Sequence, residues 1–294
     1  MNSLPAISEP AGEIEKSPEA YLDGIENLPP TPVVLVKLID LFRQPDVDVD
    51  DIVQLLRRDP ALAMEVLRCC NNSFFGNGNT IKDVNEAVYR LGFHEVYEIT
   101  VTLFGLRALT APTAAPGFPA AELRRHSSIA AIAAGALARD TGLPEGIAFT
   151  TALLHDLGKL AFAIADPARY VALLDHCRLS GAAVSAVEQE TFGFTHSELG
   201  AQLLRRWGMP EEVVLPVLGH ASPAAPERTE PLRVLTQSAS ELANHLEAKS
   251  GGMFSATPEG KRLMEFFGLD PHDVDGWECM MRAKVKHLDS SEPL

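Results

Sequence analysis

Residues 151–164 read TALLHDLGKLAFAI, an apolar run interrupted at its centre by His155 and Asp156. The run belongs to a longer helical segment, EGIAFTTALLHDLGKLAFAI, over 145–164. An ionised aspartate beside an imidazole in such surroundings is costly unless something neutralises it. A divalent metal is one solution, because neutral imidazole and carboxylate suit Zn, Mn, Fe or Ni, and residues from different helices can converge on one ion. The other solution needs no ion: a buried aspartate can cap a helix or pair with arginine. Gly158, which has no side chain, would let a neighbouring helix approach closely.

Outward from this run, helical patterns fill the chain and no segment reads as a strand, so the fold class is all-α. Towards the N-terminus, Pro29, Pro30 and Pro32 stand at the mouth of the helix VVLVKLIDLF. Asp48 caps VDDIVQLLRR, and Asp59-Pro60 opens ALAMEVLRCC with the aspartate at the cap and the proline at the first helical position. Asn71 and Asn72 end that helix in a turn-rich loop, NNSFFGNGNT. DVNEAVYRL and HEVYEITVTLFGLRAL follow, separated by Gly92. Residues 1–20 lack periodicity and read as a flexible tail. The first helical lobe covers 21–110, and APTAAPGFPA over 111–120 reads as a connector. A second lobe over 121–250 carries AELRRHSSIAAIAAGALARD, the central segment and a series of shorter helices. A Gly-Gly break then introduces an appendix of two short helices over 251–294.

Bulk properties narrow the function classes. The 294 residues carry a formal net charge of −15, and the 25 Lys and Arg are dispersed. DNA-binding surfaces show a basic stripe, so nucleic-acid binding is disfavoured. Cys69, Cys70, Cys177 and Cys279 form no Cys-x-x-Cys pair and read as thiols of a reducing compartment. The N-terminus has neither a basic nor an apolar leader region, and no uncharged apolar stretch of eighteen residues occurs, so the expectation is a cytoplasmic protein without membrane contact.

The chemistry-bearing residues lie in the second lobe: Arg125, His126, His155, Asp156, Lys159, His196 and His220. Each also has a structural reading. His126 alone fits a satisfied polar residue, His220 a helix C-terminal residue favoured by the dipole, and Lys159 a partner for Asp156 three positions back. His94, His176, His245 and His272 are assigned no role. The first lobe holds no phosphate loop, nucleophile elbow or Cys/His metal spacing.

Taken together, the segments LPPTPVVLVKLIDLF, DPALAMEVLRCCNNSFFG, AVYRLGFHEV, RHS of 125–127, LLHDLGKL and FGFTHSELGAQLLRRWGMPEEVV resemble the HDOD family, a bacterial signalling branch of the HD superfamily. The resemblance runs from about Leu28 to Leu246. It implies an N-terminal helical subdomain packed on an HD-like helical bundle. In catalytic HD phosphohydrolases a His, the HD pair and a distant Asp hold a divalent metal, and by position these are His126, His155 and Asp156. Two-metal relatives add histidines where His196 and His220 fall, and a lysine where Lys159 falls.

The last acidic ligand aligns with Ser240, a poor ligand for a hard ion, while Glu241 is turned by about 100° around the helix. Where the two-metal enzymes tend to have a His-His pair, this chain has His220-Ala221, and the GYP motif is missing. The resemblance therefore implies a non-catalytic regulatory module that binds signalling proteins, requiring no cofactor, with Fe, Mn, Zn or Ni as the candidate metal. The competing expectations are an active nucleotide or cyclic-dinucleotide phosphohydrolase, and a nucleotide sensor with Lys159 and Arg125 on the phosphate.

Overall fold

Aspartates set ahead of apolar segments start several helices of the first lobe, and they do so through one local bond each. In the computed structural model, residues 17–25, 33–42, 44, 48–71, 81–109, 116–222, 230–248 and 253–290 are described. Helix α1 (Pro18–Asp23) is followed by α2 (Val33–Phe42), α3 (Val49–Arg57), α4 (Pro60–Cys70), α5 (Val84–Leu91) and α6 (Phe93–Leu109). Asp48 accepts the Asp50 amide at 2.9 Å, Asp59 that of Leu62 at 3.0 Å, and Asp83 that of Glu86 at 2.9 Å. These bonds satisfy amides that a helix start leaves open. Asn71 closes α4 and ties it to the chain entering α5: its amide donates to the Ile81 carbonyl and accepts the Ile81 N–H, at 2.8 and 2.7 Å. The loop over 72–80, the three prolines before α2, and 110–115 of the connector lie outside the described residues, as do 223–229 and the Gly-Gly break.

The second lobe is built on α7 (Ala120–Thr141), which ends at Gly142 in the left-handed conformation. Ala130, Ala131, Ala133, Ala134, Gly135 and Ala138 of this helix are buried. Small side chains let α8 (Glu145–Leu154) and α14 (Pro231–Glu247) lie close along it. Between those two run α9 (Leu157–Ala165), α10 (Pro167–Ser180), α11 (Val184–Phe192), α12 (His196–Arg206) and α13 (Glu211–Gly219). The lobes meet where α6 packs on α7 and α8, and α2 on α8. The buried Tyr97 hydroxyl of α6 bonds Thr150 of α8 across this junction at 2.8 Å. One hydrophobic core runs through both lobes, from Leu35 and Ile52 to Leu157, Phe162 and Val213.

Two expectations are revised here. Residues 18–20, expected within a flexible tail over 1–20, belong to α1, which is capped by Ser17 and buries Leu22; residues 1–16 lie outside the described residues. Tyr21 packs edge-on against Phe162, Phe192 and Phe194, and Arg206 of α12 pairs with Asp23. The C-terminal appendix is more than two short helices: α15 (Pro258–Phe267) has ten residues and α16 (Pro271–Ser290) twenty. Phe254, Leu263, Val274, Trp277 and Met281 join a second core cluster with α7 and α14. The span Glu145–Ala165 is long and apolar enough to cross a membrane, but 89% of its most apolar window is buried, as in a core helix. Among the described residues there is no strand.

Candidate metal centre

The central segment does not run as one helix. His155 is the C-cap of α8, and Asp156 steps to φ −97°, ψ 9° before α9 begins. This bend turns both side chains into the bundle, where His155 has no exposure and Asp156 has 2%. Gly158 then allows α9 to lie against α12: a Cβ there would stand 1.9 Å from the His196 carbonyl oxygen and 2.8 Å from the Gly200 nitrogen. His196 opens α12 behind a capping box of Thr195 and Glu198. His220 caps α13, and His126 projects from α7.

The five side chains meet around Asp156. On its Oδ2 side stand His155 Nε2 at 3.4 Å and His126 Nε2 at 3.9 Å; on its Oδ1 side stand His196 Nε2 at 3.4 Å and His220 Nε2 at 3.6 Å. Asp156 thus belongs to two triads, His126–His155–Asp156 and Asp156–His196–His220, each with ligand atoms within 4.8 Å of one another. Lys159 Nζ donates to Oδ2 at 2.7 Å, the i,i+3 pairing expected from sequence.

Each imidazole is oriented from behind through Nδ1. His155 Nδ1 donates to the Ala152 carbonyl at 2.6 Å and His220 Nδ1 to that of Val217 at 2.7 Å. His196 Nδ1 donates to Glu188 at 2.6 Å and His126 Nδ1 to Glu247 at 3.0 Å. A proton held on Nδ1 leaves the Nε2 of a neutral ring as a lone pair, the form in which histidine binds a metal. Burial, against the pull of Asp156, holds the pKa of His155 well below the ordinary histidine value, and burial also lowers His220. Burial opposes ionisation of Asp156, but the His155 imidazole and the Lys159 ammonium outweigh it and keep the carboxyl well below its usual range. His155 and His220 thus present Nε2 lone pairs beside the Asp156 carboxylate. His155 Nε2 is buried with no hydrogen-bond partner among the described residues, and His196 Nε2 and His220 Nε2 face each other at 3.3 Å. Such an electron-rich cluster fits a divalent cation of the nitrogen-accepting kind.

Glu188 and Glu247 escape sequence reasoning. Glu188 is fully buried, accepts both the backbone N–H and Nδ1–H of His196, and receives the Tyr170 hydroxyl at 2.7 Å. Glu247 also takes Arg125 at 2.8 Å, so that Arg125 is directed to a carboxylate. Ser240 of α14 faces the site, its Oγ 3.2 Å from His126 Nε2. Glu241 instead bonds Gln237 and lies 3.9 Å from Arg262. A cleft of about 240 Å³ opens onto His126, Asp156, Lys159 and Ser240, walled by Phe118, Leu123 and Leu174.

The sequence profile of the HDOD domain matches residues 28–223, two thirds of the chain, and the chain belongs to the HDOD family. Among solved structures, it is similar to an HDOD domain protein of unknown function from Geobacter sulfurreducens, with a TM-score of 0.75 and 20% identity over 92% of this chain and 96% of that one. It is also similar to a candidate phosphohydrolase from Shewanella amazonensis SB2B, with a TM-score of 0.72 and 23% identity over 90% and 95%. A candidate signal transduction protein from Marinobacter aquaeolei VT8 aligns at TM-score 0.73 and 25% identity, over 90% of this chain and 58% of that one. A curated relative, an uncharacterized protein from Treponema pallidum (strain Nichols), is 28% identical over 98% of this chain. The chain spans about half of that relative's length, 54%.

Proposed function

We propose that this chain is a non-catalytic HDOD signalling module that binds other signalling proteins, with its HD cluster kept as a divalent-metal pin between α7, α8, α12 and α13. The observation that carries the reading is Ser240. The residue of α14 that meets His126 Nε2 offers a hydroxyl, and the next residue, Glu241, is directed to Gln237 and Arg262. Among the described residues, the triad on the His126 side holds no carboxylate but Asp156, which it shares with the other triad; Glu247 meets His126 from behind, at Nδ1. Two divalent ions would face a single central carboxylate, which leaves much of their charge uncompensated in a buried site.

One ion fits better, held by Asp156 with imidazoles drawn from His126, His155, His196 and His220. A bound divalent ion supplies Lewis acidity and a more acidic water. The chain's own residues mainly fix geometry: Glu188 and Glu247 hold two rings, backbone carbonyls hold the other two, and Lys159 balances Asp156. The two cations of the sensor reading are each engaged by a carboxylate, Lys159 by Asp156 and Arg125 by Glu247. They do not form a common phosphate clamp. The cleft over His126 and Lys159 favours a second reading, hydrolysis of a nucleotide or cyclic dinucleotide.

Metal content tests the pin. Protein purified without chelator should hold about one equivalent of Fe, Mn, Zn or Ni at this cluster, lost in His155→Ala; equal metal in both forms would sink the assignment. For partner binding the first lobe is the place to look, since Tyr89 on α5 is 92% and Met64 on α4 71% exposed. Tyr89→Asp with Met64→Asp should release partners cross-linked to the wild-type chain. Retention of every partner would remove that surface.

A further inference from the structure

We propose that His94, Glu98 and Glu145 form a separate divalent-metal site, of the zinc type, that clasps the first lobe to the second. The three residues lie at the lobe junction, away from the HD cluster, and the proposal does not depend on how that cluster is read. His94 and Glu98 are four residues apart on α6, which puts both on one face of the helix. Glu145 is the first residue of α8, so the third side chain comes from the other lobe.

The geometry is close to what an ion requires. His94 Nε2 lies 3.2 Å from Glu98 Oε1 and 2.9 Å from Glu145 Oε1, and all three ligand atoms fall within 4.8 Å of one another. Zinc bonds to nitrogen and carboxylate oxygen of about 2.0–2.1 Å in a tetrahedron place ligand atoms roughly 3.3 Å apart. The two nitrogen–oxygen distances from His94 need to open by only a few tenths of an ångström. One imidazole and two carboxylates carry two negative charges, which match a divalent ion once the Arg139 guanidinium turns away from Glu145, with a fourth position open to water. The three side chains are 29%, 23% and 18% exposed, which gives an ion a path in from solvent.

The surrounding sequence makes room for the carboxylates. Gly135 of α7 faces them: a Cβ there would come 3.2 Å from Glu98 Oε1, with the Glu145 side chain and Phe149 next. Arg139 of α7 donates to both oxygens of Glu145, its Nη2 to the same Oε1 that faces His94, so an ion there takes the place of that contact. The rival to a metal is a protonated His94 between the two glutamates, and those carboxylates do raise its pKa, Glu98 foremost, against the effect of burial. The two differ in what they bind, and a count of zinc separates them.

The chelator-treated full chain is titrated with zinc in competition with a chromophoric chelator, and its melting temperature is read with and without zinc. Wild type should bind an equivalent that is lost, or weakened by about 100-fold or more, in each of His94→Ala, Glu98→Gln and Glu145→Gln. His155→Ala should keep it, along with the several-degree zinc-dependent rise in melting temperature. The two Glu→Gln variants are isosteric and keep the measurement valid if His94→Ala fails to fold by circular dichroism. Unchanged zinc number and affinity in both Glu→Gln variants would overturn the proposal. So would loss of the same single equivalent in His155→Ala as in Glu145→Gln, since that would place the ion at the HD cluster.

Discussion

Gly158→Ala is the sharpest probe of how the bundle is assembled. The added methyl would lie 1.9 Å from the His196 carbonyl oxygen and 2.7 Å from its carbon, both backbone atoms that cannot swing aside. An ordinary C···O contact is about 3.3 Å, so α9 and α12 must separate by about 1.4 Å. Forcing extra atoms into a packed interior usually costs about 1–3 kcal/mol, and a rigid backbone neighbour puts this site near the upper end, about 3 kcal/mol. For a chain of this size that is a drop in melting temperature of roughly 5 °C. The assay is thermal unfolding followed by circular dichroism, with Gly276→Ala as control. Gly276 lies within α16, and no atom beyond its own helix backbone stands within 4 Å of where its methyl would be placed, so that change should be neutral or gain about 0.5–1 kcal/mol. A Gly158→Ala protein that melts within a degree of wild type would refute the close helix contact, and with it the placement of His196 against Asp156.

Two further outcomes follow from the electrostatics. Burial raises the Glu241 carboxyl to about 7, so the folded state holds its proton more tightly than the unfolded state does. Stability from this group is present below the unfolded carboxyl pKa and is lost as pH rises through the folded value; Glu241→Gln should therefore be neutral at pH 5 and stabilising at pH 8, by about 1 kcal/mol after allowance for its partial exposure. Denaturant midpoints at the two pH values decide it, and equal shifts at both would contradict the burial argument. Glu188→Gln keeps the shape but replaces an acceptor of His196 Nδ1–H by an amide, and metal affinity at the HD cluster should fall about 10–100-fold, read by chelator competition. Unchanged affinity would show that His196 does not serve the ion.

How much of the molecule is legible in sequence depends on whether the signal is local. Caps at Asp48 and Asp59 are readable because the aspartate and the amide it serves are two or three residues apart. Helix α1 is not, because six residues behind a Pro- and Glu-rich stretch carry too little periodicity, and its stability comes from Phe162, Phe192 and Phe194, far along the chain. The break at Asp156 is hidden because the apolar pattern continues on both sides of it. Gly158 is legible as a close-approach point, since an absent side chain has few other uses beside a buried pair. Glu188 and Glu247 give no sign, because a glutamate on a helix looks the same whether it meets water or an imidazole. His94 reads as a lone surface histidine; Glu98 at i+4 is visible, but Glu145 enters only through the packing of α8 on α6.

The measurement that bears most directly on the account is turnover by the wild-type, metal-loaded chain against a panel of phosphodiesters, nucleotides and cyclic dinucleotides. With Ser240 in place of an acidic ligand, the account predicts bound metal and no hydrolysis above the buffer rate with Fe, Mn, Zn or Ni. Metal-dependent hydrolysis at about 1 s⁻¹ or faster, abolished in Asp156→Asn, would contradict it and make the chain an enzyme.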